Sequence, residues 1–324
     1  MQNKSREGII IKRIILALLV CFMLLLSVVG WGEANNVSNN SLDSESVSDL
    51  EYKSIESNKY NLAGSANIFE HIMFPAIIND KKLMLEMTID RPDDNKQYPV
   101  LILTHGRHGP YPENNPNTYE QFKKVNWRFL KEKLIVVHVV RRGFGLSEGS
   151  VMDEYKTTPI ASGREMVKDI EQALLYMKAK PYVIKNKFVV GGHSQGGWAA
   201  LVAASANLDG VVCIINFSGA TNYSNAPRGA GWQSGANADM SNDCIELGKA
   251  ATIPSLWIYG DAEPNRTVDE TEKMFSEYTN AGGKAKLILL PGIHHDTISP
   301  NAQDLWAKQL HEFLIENRIV NASL

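Results

Sequence analysis

The chain lacks the features that mark several classes of protein. Its 324 residues show no internal repeat, and beyond the N-terminal segment they contain no cluster of lysine and arginine. With a formal net charge of -3, the sequence gives no reason to expect a nucleic-acid partner. No group of Cys, His or carboxylate residues has the spacing of a metal site, so no metal or other cofactor is expected. The length is sufficient for one large α/β domain with a substantial core.

Cysteine is scarce as well. The chain has three cysteines, and the first of them, Cys21, lies in an apolar N-terminal run. An exported protein can oxidise a pair of thiols, so a disulfide between Cys213 and Cys244 is conceivable. Free buried cysteine is also common. The sequence therefore leaves this pairing open.

Residues 1–34 have the layout of a secretory signal. Four lysine and arginine residues form a basic head, an apolar run follows at residues 14–29, and small residues stand at positions 32 and 34. The apolar run is slightly shorter than the roughly 20 residues of a spanning helix. We therefore expect an exported protein, periplasmic or secreted, whose mature chain begins near Asn35. The alternative is an uncleaved membrane anchor, in which case the membrane is a partner through this segment alone.

The rest of the chain divides into a linker and a domain. Residues 35–60 are rich in Asn, Ser, Asp and Glu, a composition that predicts a disordered linker. Residues 61–324 alternate between short apolar runs and amphipathic stretches. This alternation predicts a mostly parallel sheet flanked by helices, without a large cap domain. The predicted strands are 68–78, 82–89, 98–104, 134–140, 188–190, 211–217, 255–259 and 286–290. The predicted helices are 119–133, 164–178, 197–206, 268–280 and 302–317.

The strongest chemical feature is a G-x-S-x-G motif at Gly192, Ser194 and Gly196. It lies between an apolar run and a helical stretch, which is the context that the motif requires. Glycine two residues before and after the serine allows a very sharp turn between strand and helix. The serine hydroxyl then projects at the carboxyl end of the strand. Ser194 is the predicted nucleophile.

A serine hydroxyl needs a base, and two later loops can supply an acid and a histidine. One loop follows the strand at 255–259 and contains Asp261 and Glu263. The other follows the strand at 286–290 and contains His294 and His295. Each lies where an active site of an open parallel sheet is expected.

Three motifs together resemble an α/β hydrolase of the dienelactone hydrolase and prolyl-oligopeptidase-like branch. They are Thr104-His105-Gly106, which resembles the family's oxyanion loop, Arg142-Gly143-Phe144-Gly145-Leu146-Ser147, which resembles its R-G-x-G-x-S, and the serine motif. They occur in the family's order. The resemblance extends from about residue 69 to the C-terminal helix and implies the α/β-hydrolase fold with a Ser-His-acid triad.

The resemblance also suggests which acid serves the triad. The family usually has Gly-x-x-Asp after this strand, and the third residue after Gly260 is Glu263. This sequence therefore has glutamate where aspartate is commoner, and Asp261 is the alternative. A glutamate carboxylate can also fix the tautomer of an imidazole and stabilise imidazolium.

The histidine is assigned in the same way. The family's histidine usually lies four residues after the proline of its loop, and that position after Pro291 is His295. His294, its neighbour, is the alternative. The resemblance implies that His295 is the general base.

The oxyanion hole is expected to use two backbone N–H groups, those of Gln195 and Arg107. The side chain of Gln195 is expected to give polar support, and that of His105 a structural role. For His108, substrate contact and a solvated loop position remain equally open. The G-x-G within residues 142–147 does not meet the G-x-G-x-x-G spacing, and a turn after a strand is expected there instead of a nucleotide site.

The expected activity is hydrolysis of a carboxylic ester or related acyl bond of a small molecule. One alternative is a peptidase of the prolyl-oligopeptidase type, and another is a binding protein that keeps the fold without catalysis. Loops near residues 107–118, 148–162 and 220–250 are expected to shape the substrate pocket.

Overall fold

Strands and helices alternate through the part of the chain that the structure describes. A computed structural model describes residues 51–62, 64–107, 120–151, 157–221, 240–263 and 266–322, all within one unit at residues 50–324. The strands are β1 (Lys53–Leu62), β2 (Ser65–Ile78), β3 (Lys81–Pro92), β4 (Tyr98–Thr104), β5 (Ile135–Val139), β6 (Val183–His193), β7 (Val211–Phe217), β8 (Ser255–Gly260) and β9 (Ala285–Leu290). The helices are α1 (Glu120–Lys131), α2 (Pro159–Lys178), α3 (Gln195–Ala203), α4 (Ser241–Ala250), α5 (Val268–Asn280) and α6 (Pro300–Glu316).

Within these described residues the strands form one sheet in the order β1-β2-β3-β5-β4-β6-β7-β8-β9. Strands β4 to β9 run parallel to their neighbours in this group. Strands β1, β2 and β3 extend one edge by antiparallel pairing. The predicted mostly parallel sheet is therefore confirmed, and the carboxyl ends of its parallel strands meet along one edge.

Strands β2 and β3 form a tight hairpin through Asn79 and Asp80. Ile78 pairs with Lys81 across a two-residue turn. Asn79 and Asp80 have φ values of 51° and 61°. Two consecutive positive φ angles mark the turn geometry that matches the twist of a tight hairpin, and Asn and Asp tolerate it better than most residues.

The central strands are buried on both faces. Along β4, Val100 and Ile102 contribute to one core, whereas Leu101 and Leu103 contribute to the other. Helices α2, α3, α4 and α5 cover the first face, and α1 and α6 cover the second. Because both faces are covered, these strands read as continuous apolar runs and were recognisable in the sequence.

The two cysteines that could pair lie in different cores. Cys213 of β7 packs with the residues under α1 and α6, and Cys244 of α4 packs with the core on the opposite face. Neither forms a disulfide in the part of the chain that the structure describes. The sheet between them prevents the short approach of the two Cα atoms that a disulfide requires.

Three sequence expectations need correction. The linker expected at residues 35–60 overlaps β1, which begins at Lys53 and pairs with β2 although almost all of its side chains are exposed. Helix α2 begins at Pro159 and not at Arg164, because Thr158 caps it and Pro159 fits the first turn. Helix α4 occupies residues 241–250, the end of the segment that was expected to be a pocket loop. The apolar pattern missed β1 because this strand buries too little side-chain surface.

Some expectations concern residues that the structure does not describe. The predicted signal segment, residues 35–50 of the linker and His108 lie outside the described residues, as do parts of the three pocket loops. Among the described helices, none is both long and apolar enough to cross a bilayer.

Candidate active site

Ser194 lies at the sharp turn between β6 and α3. Its φ of 57° and ψ of -121° belong to a region that non-glycine residues rarely adopt, at a typical cost of about 1–3 kcal/mol. Side chains at the flanking glycines would prevent the turn. A Cβ on Gly192 would collide with the backbone of Gly196, and a Cβ on Gly196 would collide with the carbonyl oxygen of Thr104. The motif spacing therefore has a steric origin, as the sequence predicted.

The surrounding strands hold the backbone of Ser194 in place. Its N–H donates to the carbonyl of Phe217 at 2.9 Å. Its own carbonyl accepts from the N–H groups of Trp198 and Ala220, each at 3.0 Å. These bonds connect the turn to β7 and to α3, so the rest of the fold supports the unfavourable φ angle.

Glu263 and His295 meet at the carboxyl ends of β8 and β9. His295 Nδ1 lies 2.8 Å from Glu263 Oε1 and 3.0 Å from Oε2. The carboxylate is buried, with 5% of its side chain exposed, whereas 24% of the His295 side chain is exposed. Because an ionised carboxylate only accepts hydrogen bonds, Nδ1 carries the proton and Nε2 is left as the basic nitrogen.

The two alternative residues lie elsewhere. Asp261 accepts a hydrogen bond from the backbone N–H of Gly292 at 2.7 Å, so its carboxylate supports the turn after β9. His294 is exposed. The structure thus brings Glu263 and His295 together, whereas the carboxylate of Asp261 is engaged with the backbone of the loop after β9.

Backbone hydrogen bonds join the loop after β8, which carries Glu263 (the acid loop), to the loop after β9, which carries His295 (the histidine loop). The N–H of Ala262 donates to the carbonyl of Ile293 at 3.1 Å, and the N–H of Asp261 donates to that of Leu290 at 3.1 Å. Gly260 allows this approach, because a Cβ there would collide with the Ile293 carbonyl. Glu263 therefore reaches His295 from a loop that is tied to the histidine loop.

His193, which sequence reasoning did not single out, connects the serine turn to the histidine loop. Its Nε2–H donates to the backbone carbonyl of His295 at 2.8 Å, and the two rings lie 4.9 Å apart. Burial, with a smaller contribution from neighbouring His295, lowers the pKa of His193 to about 3. His193 is therefore neutral near neutral pH, and its position inside the G-x-S-x-G motif carries no signal of this contact.

The predicted oxyanion residues lie on two adjoining segments. Gln195 is the first residue of α3, and Arg107 follows the end of β4. The side chain of Gln195 accepts a hydrogen bond from Arg141 at 2.6 Å, in agreement with the polar support expected of it. His105 accepts from the backbone N–H of Arg141 at 3.0 Å through Nε2, and its Nδ1–H donates to the Gly106 carbonyl at 2.7 Å. His105 is thus engaged structurally.

The R-G-x-G-x-S segment forms a turn that is hydrogen-bonded to β3. A turn after a strand was the structure expected there. Glu86 accepts from the N–H of Leu146 at 2.7 Å, and its own N–H donates to Ser147 Oγ at 2.8 Å. Gly145 has a φ of 52°, and a Cβ there would collide with the Glu86 carboxylate. The second glycine of the motif therefore serves packing.

A cavity of about 270 Å³ borders this turn and the serine turn. Its lining is mixed, with apolar side chains beside two arginines whose charges are balanced nearby. Arg142 lies 2.8 Å from Asp169 and 3.5 Å from Glu165. Burial raises the pKa of Asp169 to about 6, although both arginines counteract it. Gln195 and Arg141 also line this space, so it adjoins the predicted oxyanion residues.

No metal centre is found in the part of the chain that the structure describes. There, no three His, Cys, Asp or Glu side chains come together as metal ligands would. The acidic and histidine residues of the site are instead engaged with one another, as described for Glu263 and His295.

Several solved structures with a similar fold carry the names of hydrolases. An esterase of Pyrococcus furiosus matches with a TM-score of 0.56 at 17% identity, over 76% of this chain and 93% of its own. A putative dienelactone hydrolase of Klebsiella pneumoniae gives 0.53 at 14% identity, over 75% of this chain and 97% of its own. Dipeptidyl peptidase 4 of Porphyromonas gingivalis gives 0.52 at 14% identity, over 82% of this chain and 43% of its own. These likenesses show the fold.

Sequence comparison identifies the family. No curated relative matches the chain. The model of the prolyl oligopeptidase family matches residues 155–318, slightly more than half of the chain. This range contains the serine turn, the acid loop and the histidine loop. The chain therefore has the α/β-hydrolase fold and belongs to the prolyl oligopeptidase family of serine hydrolases.

Proposed function

We propose that this chain is an exported serine hydrolase that cleaves a carboxylic ester or related acyl bond of a small molecule. The observation that carries the proposal is the hydrogen bond between Glu263 and His295, at 2.8 Å, beside the serine turn. His193 precedes Ser194 and contacts the backbone of His295, so the loop that carries this pair adjoins the turn.

In the proposed first step, Ser194 Oγ attacks the substrate carbonyl carbon and His295 Nε2 takes its proton. The buried carboxylate of Glu263 keeps Nδ1 protonated and stabilises the imidazolium that forms. The backbone N–H groups of Gln195 and Arg107 are the proposed donors to the oxyanion. When the tetrahedral intermediate collapses, His295 returns the proton to the leaving alcohol, and an acyl-enzyme remains.

In the second step, water replaces the alcohol. His295 removes a proton from the water, whose oxygen attacks the acyl carbonyl. Collapse of the second intermediate breaks the bond to Ser194 Oγ, which regains the proton from His295. The products are a carboxylic acid and free enzyme, so the cycle requires no cofactor.

The substrate is proposed to be small. The cavity of about 270 Å³ beside Gln195 lies near the lower end of volumes that hold small molecules. Its partly apolar lining suits a short acyl chain or a compact leaving group.

A peptide bond is the second candidate, because the family match points to it. The partly apolar cavity beside Gln195 suits a short acyl chain, and an esterase of Pyrococcus furiosus has a similar fold. We therefore rank esters before peptides. A binding protein without catalysis is the third candidate.

The test combines covalent labelling with turnover. Purified chain from residue 35 onward is treated with a fluorophosphonate probe and then assayed on p-nitrophenyl acetate, butyrate and octanoate, with proline-containing peptide anilides as controls. We expect labelling at Ser194 and the fastest turnover on a short ester. In Ser194→Ala, labelling should disappear and kcat should fall on the order of a millionfold, with the far-ultraviolet circular dichroism unchanged. A wild-type chain that is not labelled and hydrolyses none of these compounds would contradict the hydrolase and support the binding protein without catalysis.

Export has its own test. Expression of the full chain followed by intact-mass measurement of the exported protein should give a mature form that begins near Asn35. Retention of residues 1–34 would support the membrane anchor.

A further inference from the structure

Arg141 is buried at the junction between the two segments that carry the proposed oxyanion donors. Only 2% of the residue is exposed, and it is the second residue after the end of β5. Sequence reasoning concentrated on the neighbouring Arg142 and did not single out Arg141. We infer that Arg141 is a positioning residue that fixes the direction of both backbone donors of the oxyanion hole. This inference rests on the proposed function.

The first group of contacts lies on the segment after β4. One terminal nitrogen of Arg141, Nη1, donates to Thr104 Oγ1 at 2.9 Å and to the carbonyl of His105. The other, Nη2, lies 3.4 Å from the carbonyl oxygen of Gly106. The side chain thus connects three consecutive residues that lead into Arg107.

The contact with Gly106 bears directly on the N–H of Arg107. The Gly106 carbonyl and the Arg107 N–H belong to the same planar trans peptide group, so they point in opposite directions. The carbonyl is held by Arg141 Nη2 and, at 2.7 Å, by His105 Nδ1. Fixing the carbonyl therefore fixes the direction of the N–H. Donors to the carbonyl also polarise the peptide and make its N–H a stronger donor.

The second contact reaches the helix that begins at the nucleophile. Arg141 Nη2 donates to the side-chain Oε1 of Gln195 at 2.6 Å. Gln195 follows Ser194, and its backbone N–H is the other proposed donor. One guanidinium group therefore ties the first residue of α3 to the segment that ends at Arg107.

The surroundings hold the guanidinium in place. The Phe144 ring lies 5.2 Å from Arg141 Cζ and 4.6 Å from the ring of His105. Phe144 belongs to the turn that Glu86 fastens to β3. The positioning contacts are therefore supported from the sheet as well as from the site.

The geometry requires arginine and not merely a positive charge. Two terminal nitrogens at a fixed separation reach Thr104, His105 and Gly106 on one side and Gln195 on the other. A lysine ammonium has three donors at a single point, so it could serve one side only. Preorganised donors aimed at the oxyanion lower the barrier because they need no reorganisation during the reaction.

The test measures kcat and KM on the best ester for Arg141→Met, Arg141→Lys and Gln195→Met. Gln195→Met removes the side-chain acceptor but keeps the backbone N–H. The matched control is Arg128→Met, which removes a guanidinium that pairs with Asp304 on α6 and contacts none of the oxyanion residues. Thermal unfolding and circular dichroism are recorded for these four variants and for Arg141→Ala, which is used to test rescue.

We expect Arg141→Met to lower kcat on the order of 100-fold with little change in KM. A decrease of this size is typical when one oxyanion donor is lost. Arg141→Lys should fall between this variant and the wild type, and Gln195→Met should lower kcat about tenfold. The acid limb of the pH profile should keep its position, because Arg141 does not contact His295 in the proposed arrangement. Arg128→Met should retain the wild-type kcat.

Added guanidinium ion at millimolar concentration should partly restore kcat in Arg141→Ala, and a purely structural role would not produce such rescue. Two results would overturn the inference: a folded Arg141→Met with wild-type kcat, or equal losses of kcat in Arg141→Met and Arg128→Met. If Arg141→Met does not fold, a folded Gln195→Met with the wild-type kcat would overturn the inference. Failure of the proposed function is distinct, since it appears as a wild-type chain without labelling or turnover.

Discussion

The imidazole of His193 donates a hydrogen bond to the backbone carbonyl of His295 at 2.8 Å. The residue before the proposed nucleophile thus holds the loop that carries the proposed base. Loops are the more mobile parts of a fold, and a loop histidine that must align with a serine benefits from such an anchor. The neutral state of His193, with its pKa lowered to about 3, makes this anchor independent of pH over the working range.

We predict that His193→Phe lowers kcat/KM for the ester on the order of 10-fold to 100-fold. Phenylalanine keeps a ring beside His295 but removes the N–H donor. The ratio of wild-type to variant kcat/KM should be constant between pH 6 and 9. The control is His311→Phe, which removes a histidine of α6 that contacts Glu132, the residue after the end of α1. Equal kcat/KM for His193→Phe and wild type would contradict the prediction.

The choice between the two acids can be measured directly. We expect Glu263→Gln to lower kcat/KM by roughly 10³-fold to 10⁴-fold, because the amide no longer stabilises imidazolium. Asp261→Asn should stay close to the wild-type value, since its contact is with the backbone N–H of Gly292. Steady-state kinetics on the same ester decide between them. The reverse ranking would transfer the acid role to Asp261.

The two adjacent histidines differ in the same way. His295→Gln should reduce kcat on the order of a millionfold, as loss of the base does in a serine triad. His294→Gln should leave a working enzyme, because His294 is exposed and lies outside the contact with Glu263. Both variants are to be assayed across the pH range. An inactive His294→Gln beside an active His295→Gln would show that the assignment is wrong.

A buried histidine outside the proposed triad, His138, predicts how the free energy of unfolding depends on pH. Burial lowers the pKa of His138 to about 3, and its Nε2–H donates to Asn126 Oδ1 at 2.7 Å. In the unfolded chain a histidine titrates near about 6.5. As the pH falls below that value the unfolded state binds the proton first, so the free energy of unfolding decreases.

We therefore compare wild type with His138→Gln, whose amide can still donate to Asn126. Between pH 7.5 and 5.5 the wild type should lose about 1 kcal/mol more of its free energy of unfolding than the variant loses. Urea unfolding at several pH values measures the difference. Parallel curves for the two proteins would contradict a neutral His138 in the folded state.

Local sequence patterns determined the sheet and the loops of the site. The central strands are buried on both faces, so each reads as an apolar run wherever the chain later places it. The glycines around Ser194 mark the serine turn because steric collision there is a local property. The resemblance to the family then selected Glu263 and His295 by counting from Gly260 and Pro291, and the structure brings these two side chains into contact.

The tertiary structure decided what depends on approach across the fold. Strand β1 buries few side chains and is held by backbone pairing with β2. Its sequence therefore has no apolar periodicity from which the strand could be predicted. The roles of Arg141 and His193 depend on acceptors that are 36 and 102 residues away in the chain. Residue types and local spacing specify which groups are present. The distance between groups that lie far apart in sequence is set only when the sheet assembles, because it depends on strand order and on the packing of the helices against both faces.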